Sequence, residues 1–146
     1  MKIETTILKN LLQNEDYARK VLPFLNDKYF TENSDKIIYN QINNFILKYN
    51  SLPNKEALNI ELSEAKITEE DFKESINLIN EIGKDDQEFS DLSWLLDLTE
   101  KFCQDKAIYN AVVESISILD NPKSTTSKGA IPEILSDALS VSFDPH

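Results

Sequence analysis

The sequence predicts an all-α protein, on three observations. Apolar residues recur three or four positions apart along nearly the whole chain, the spacing of one helical face. No window alternates apolar and polar residues with the period of two that a half-buried strand requires. Helix start and stop signals bracket the apolar stretches at helical lengths. The expected architecture is a compact multi-helix body over residues 1–89, followed by a protruding antiparallel two-helix hairpin over residues 90–146.

Each element has a local reason. Ile3, Ile7, Leu8, Leu11 and Leu12 share one face of a first helix that frays at Asn14. Asp16 is the expected N-cap of a short second helix, and Pro23 ends it after Leu22. The stretch from Phe24-Leu25 to Tyr29-Phe30 reads as a turn that drives aromatic anchors into the core. Ser34 is expected to cap a helix whose face is Ile38, Ile42, Phe45, Ile46 and Tyr49. The run Asn50-Ser51-Leu52-Pro53 breaks that helix, and Asn54 starts the next, which carries Ala57, Leu58 and Leu62. Thr68 before Glu69, Glu70 and Asp71 joins a capping side chain to negative charge at the positive end of a helix dipole. That helix should bury Phe72, Ile76 and Ile79 and stop at Gly83, a natural residue just past a helix end. A charged connector then leads to Ser90, the expected cap of a long helix over residues 90–120. A polar loop spans residues 121–130. Pro132, in a first turn where its missing N–H matters little, opens a short helix over residues 131–142.

The long helix carries a heptad pattern. Leu95, Phe102, Tyr109 and Ile116 stand seven apart, and Leu98, Asp105, Val112 and Leu119 form a second series offset by three. Asp105 alone breaks the apolar run, so it either marks where the seam turns to solvent or sets register inside it. At ~1.5 Å per residue the long helix would reach roughly 45 Å and the short one about 18 Å. The short helix therefore cannot cover the long one. The seam either folds back onto the body or pairs with another subunit, and the length mismatch favours the second. The expected interface residues are Leu95, Leu98, Phe102, Tyr109, Val112, Ile116 and Leu119, with Ile131, Ile134, Leu135 and Leu139 from the short helix. Trp94 reads equally as an interface anchor or a core side chain, and Cys103 as a small buried apolar residue.

Composition narrows the chemistry. A net charge of −11 repels the phosphate backbone, so direct nucleic-acid binding is not expected. No apolar run approaches the ~20 residues of a membrane span, and Glu4 and Lys9 interrupt any signal-peptide core. A single cysteine permits no internal disulfide and points to a reducing, cytoplasmic setting. Two glycines cannot build a phosphate cradle, and Gly83-Lys84 is followed by Asp85 where a phosphate loop needs Ser or Thr. The one histidine is His146, so neither a Ser/His or Cys/His pair nor a two-histidine metal site is expected. Clusters such as Glu69-Glu70-Asp71 and Asp85-Asp86 read as solvated helix starts and loops. No catalytic residue, metal site or cofactor is expected in this segment.

The residues also resemble a family. The order Glu4-x-x-Ile7-Leu8-x-x-Leu11-Leu12, Val21-Leu22, Tyr29-Phe30 with Ile38-Tyr39, and Leu52-Pro53 with Leu58 is similar to the N-terminal domain of DnaB-like replicative helicases. Trp94-Leu95, Thr99-Glu100-Lys101-Phe102, Ala107, Asn110-Ala111, Gly129-Ala130-Ile131-Pro132 and the run from Ala138 to Asp144 resemble the helicase of T-even-type tailed bacteriophages. The resemblance covers essentially the whole chain. It implies a collar domain in a ring-shaped hexamer, whose subunits pair through their hairpins above motor domains. It further implies that the ATP- and Mg-dependent motor lies outside this segment, that the abrupt end at Phe143-Asp144-Pro145-His146 precedes a missing linker, and that primase and a helicase loader are partners in an infected cell's cytoplasm.

Two other readings remain. One is a free-standing acidic α-helical phage regulator that binds a host protein through the hairpin. The other is a small enzyme using paired carboxylates.

Overall fold

The computed structural model describes residues 2–84, 91–121, 123 and 126–143. Among them are seven α-helices and three short 3-10 turns, and no strand. The fold is all-α, as the periodicity predicts.

Helix α1 (Ile3–Gln13) buries Ile7, Leu8, Leu11 and Leu12, while Ile3 lies in solvent. Asn14 ends α1 in an extended conformation, and its side chain accepts from the Tyr17 N–H to begin α2 (Glu15–Val21). The cap is therefore Asn14 and not the expected Asp16, which sits in the first turn with Glu15. The Gln13 side-chain amide donates to the carbonyls of Ile82 (2.6 Å) and Lys84 (3.1 Å), which ties the end of α1 to the end of α5.

Two 3-10 turns follow, Leu22–Phe24 and Asp27–Tyr29. They insert Leu25, Tyr29 and Phe30 into the core. Phe30 stacks on Tyr39 at 5.4 Å between ring centroids, and the Tyr39 hydroxyl donates to the Leu25 carbonyl at 2.9 Å.

Helix α3 (Asn33–Tyr49) starts one residue before the expected Ser34 cap, which lies buried inside the first turn. Ile38 and Ile42 are buried, Phe45 and Ile46 partly so, and Tyr49 is exposed against the Phe45 ring. The expected apolar face is thus too long by one turn. Asn50 ends α3 in the left-handed region (φ 53), which asparagine tolerates better than most residues.

Asn54 and Thr68 cap α4 (Lys55–Ser63) and α5 (Glu69–Ile82) as expected, accepting from the N–H groups of Ala57 and Asp71. Gly83 ends α5 at φ −85, not left-handed. Glycine is required there for space, since a Cβ would lie 2.8 Å from the Ile79 carbonyl and 3.2 Å from the Lys55 side chain.

Helix α6 (Leu92–Asp120) is capped by Asp91, which accepts from the Trp94 N–H. The expected cap Ser90, most of the charged connector and part of the polar loop lie outside the described residues. Helix α7 (Ile131–Leu139) follows a 3-10 turn, Lys128–Ala130, with proline in its first turn. It stops three residues short of the expected end. The Val141 carbonyl is instead taken by the Gln104 side-chain amide at 3.0 Å, and the Phe143 N–H donates to Glu100 Oε2 at 2.7 Å. Buried side chains from α1 to α5 and from α6 and α7 join one hydrophobic core.

Candidate subunit interface

Helix α6 has 29 residues, about 44 Å of rise, and meets different neighbours along its length. Its first half packs on α2 and the Asp27–Tyr29 turn. Leu95, Thr99, Phe102 and Cys103 are buried there, with the Phe102 ring 5.7 Å from Phe30. The Tyr17 hydroxyl lies 2.6 Å from Thr99 Oγ1, which donates to the Leu95 carbonyl at 2.7 Å. Asn110 donates to the Lys28 carbonyl at 3.0 Å and closes this contact.

Beyond it the buried positions become Ala107, Ala111, Ser115 and Ile118. Helix α7 packs against α6, with Ala138 buried and Ile134 and Leu135 half-buried on the core. The segment after α7 is anchored by Phe143, which stacks on Phe24 at 4.6 Å.

The expected seam divides accordingly. Leu95 (1% exposed) and Phe102 (6%) belong to the chain's own core, and Leu98 is half-buried. This differs from the expectation that both faced another subunit. Tyr109 (65%), Val112 (43%), Ile116 (51%) and Leu119 (54%) are exposed. On α7, Ile131, Ile134 and Leu135 are half-buried and Leu139 is 71% exposed.

The cause is geometric. Positions seven apart on a straight α-helix drift by about 20° per heptad, so a column that starts in the core rotates out of it. The drift and the change of packing partner together carry Tyr109 and Ile116 to the side of α6 roughly opposite Ala107, Ala111 and Ser115. Asp105 is exposed near the crossover, where a charge meets water.

Two members of the exposed face are absent from the heptad reading. Ile108 and Val113 are 38% and 49% exposed and stand beside Tyr109 and Val112. In heptad terms they occupy the positions flanking the seam, and a 3.6-residue period would have included them. The face is therefore broader than a two-stranded coiled-coil seam. Trp94, at the other end of α6, is 52% exposed and is not a core side chain.

The chemistry of this surface is apolar adhesion. Exposed Asp105, Glu114 and Asp120 border the stripe with charge, the usual arrangement of an apolar patch inside a polar rim. The buried Cys103 thiol is pushed up to about 12, mainly by burial and then by Glu100, so it stays protonated at neutral pH and is a poor nucleophile. Among the described residues no three His, Cys, Asp or Glu side chains stand close enough to hold a metal ion. No described helix is long and apolar enough to cross a membrane.

Fold and surface together define an all-α helical module with an apolar helix face exposed among the described residues. Its sequence is 33% identical to the DnaB-like replicative helicase of Enterobacteria phage T4, over 148 aligned residues covering 96% of this chain. That match bears out the family resemblance read from the residues. It spans 30% of the relative's length. No family model matches the sequence.

Proposed function

We propose that this chain is the N-terminal collar domain of a phage replicative helicase, serving ring assembly and the docking of primase or a loader. The observation that carries the proposal is the run of exposed apolar side chains from Ile108 to Leu119, which nothing among the described residues covers. A patch of this kind on a soluble domain usually marks an interaction site. The similarity to the phage T4 DnaB-like replicative helicase gives it a context, since the family resemblance implies a ring of identical chains.

In this reading the core face of α6 holds the domain together and the opposite face holds subunits together. The two-part organisation follows: a body over residues 1–89, and a hairpin over residues 90–146 that carries the contact. ATP and Mg serve the parent's motor, beyond this segment. Duplex unwinding belongs to the parent, and this domain supplies neither catalysis nor DNA contact. Its setting is the cytoplasm of the infected cell.

Light scattering across a concentration series tests the assembly role. The chain should form dimers or larger species, and the double variant Tyr109→Glu, Ile116→Glu should remain monomeric. Both substitutions would bury unpaired charge in the interface while leaving the monomer's core untouched. A wild-type chain that stays monomeric at high concentration overturns assembly by this domain alone. The parent reading has its own check: the coding frame should continue past His146 to a glycine-rich Lys-Ser/Thr phosphate loop.

A further inference from the structure

A second feature lies away from α6. A cleft between α1, α3 and α5 is walled by Lys2, Glu32, Asp35, Glu74, Asn77 and Glu81. Thr5, Ser34 and Leu78 complete the lining, and four of these nine residues are carboxylates. Lys2 is already held by Glu32 at 2.8 Å, on the exposed rim.

Asp35 differs from its neighbours. It is only 5% exposed, lines the cleft, and has no hydrogen-bond partner among the described residues. A buried carboxylate without a donor is costly, and proteins normally satisfy such groups. Here the unsatisfied valence faces an opening from which a donor can arrive.

We propose that this cleft is a docking pocket for an arginine side chain from a basic segment of a partner protein, with Asp35 as its anchor.

Four observations choose that occupant. The wall is acidic and the whole chain carries −11, so an anion or a nucleic-acid backbone is repelled. The carboxylates are not clustered tightly enough to ligate one metal ion. A guanidinium suits the cleft better, because its planar fork of five donors reaches several acceptors and loses less hydration than an ammonium. The chain cannot supply the group itself. Its single arginine, Arg19, is bound to Glu15 and Asn50 on another part of the surface.

The charged groups around Asp35 are consistent with this. Burial above all, then Glu32 at the N-cap of its helix, Glu4 on α1 and Glu81 on α5, disfavour its ionised form, and Lys2 alone offsets them. An incoming guanidinium would relieve that repulsion.

The test uses the wild-type chain and a capped penta-arginine peptide, followed through the carboxyl carbon resonance of Asp35. Peptide should lower the Asp35 titration midpoint by about one pH unit, which by linkage means about tenfold tighter binding to the ionised form. Asp35→Asn should lose about that factor in affinity. Glu70→Gln, an equal charge change on an exposed residue outside the cleft, should lose less than about twofold. Should Asp35→Asn fail to fold, the midpoint shift in the wild-type chain still decides the question. An unmoved midpoint overturns the proposal, as does equal weakening by the two variants. A shift of the same size with magnesium or spermidine overturns it in favour of a general cation site. A shift on raising the protein concentration without peptide overturns it in favour of a second copy.

Discussion

The Tyr17 hydroxyl meets the Thr99 hydroxyl at 2.6 Å in the buried contact between α2 and α6. Thr99 spends its own proton on the Leu95 carbonyl, so Tyr17 must be the donor to Thr99. This short chain of hydrogen bonds fixes the first half of α6 to the body and so determines which face of α6 remains outside. Burial pushes the Tyr17 hydroxyl well above the ordinary tyrosine range, which keeps it protonated and donating.

Removing that donor has a calculable cost. Tyr17→Phe should lower stability by about 1 kcal/mol, the net worth of one hydrogen bond. Thr99→Val should cost more, about 1–3 kcal/mol, because it strands the Tyr17 hydroxyl in the core. The double variant should fall short of the sum. Urea denaturation followed by circular dichroism measures all three.

The two faces of α6 should respond oppositely to substitution. Phe102→Ala should destabilise the fold by about 3–5 kcal/mol, because a fully packed aromatic is lost from the core. Tyr109→Glu and Ile116→Glu should change monomer stability by no more than about 0.5 kcal/mol each, since both side chains are exposed. Thermal unfolding at dilute protein concentration separates the effect on folding from any effect on association.

Ser75 offers a stabilising change. Its hydroxyl is fully buried on α5 and finds no hydrogen-bond partner among the described residues. Ser75→Ala removes an unsatisfied polar group at little cost in volume and should raise stability by about 1 kcal/mol. An increase in the urea midpoint at unchanged slope would confirm it.

Asp35 should give the fold a characteristic pH dependence. Its carboxyl is raised to about 6, chiefly by burial and then by Glu32 and Glu4. An unfolded aspartate titrates near ~3.9, so between these values the native state binds more protons. The contribution of this group is therefore complete below about pH 4 and is lost as pH rises through about 6. Asp35→Asn, which cannot ionise, should match the wild type near pH 4 and exceed it at pH 7 by on the order of 1 kcal/mol. Chemical denaturation at the two pH values checks the sign. A buried carboxylate that lowers stability at neutral pH is what a binding pocket would retain at the fold's expense.

The sequence revealed much of the fold because its signals are local. Asn54 and Thr68 cap as expected because each stands directly before a helical run with its acceptor three residues from a free N–H. Asn14 was hidden because asparagine serves equally to end one helix and start the next, and here it does both. The face of α6 was only half legible. A heptad count treats the helix as having one partner, whereas α6 packs on α2 first and on α7 later. That change of partner moves heptad positions inward or outward in ways no spacing rule encodes: Leu95 and Phe102 go to the core, and Ile108 and Val113 join the exposed face. The cleft at Asp35 left no trace in the sequence, since its walls come from three separate helices.

In the proposed assembly, copies of this chain meet on the exposed face of α6. Its most direct test is nitration of surface tyrosines, read by mass spectrometry across a protein concentration series. Tyr109 on α6 and Tyr49 on α3 are comparably exposed, at 65% and 51%, so each is a control for the other. Tyr109 should become protected as concentration rises while Tyr49 stays reactive. Equal reactivity of the two at every concentration at which the chain associates would contradict it.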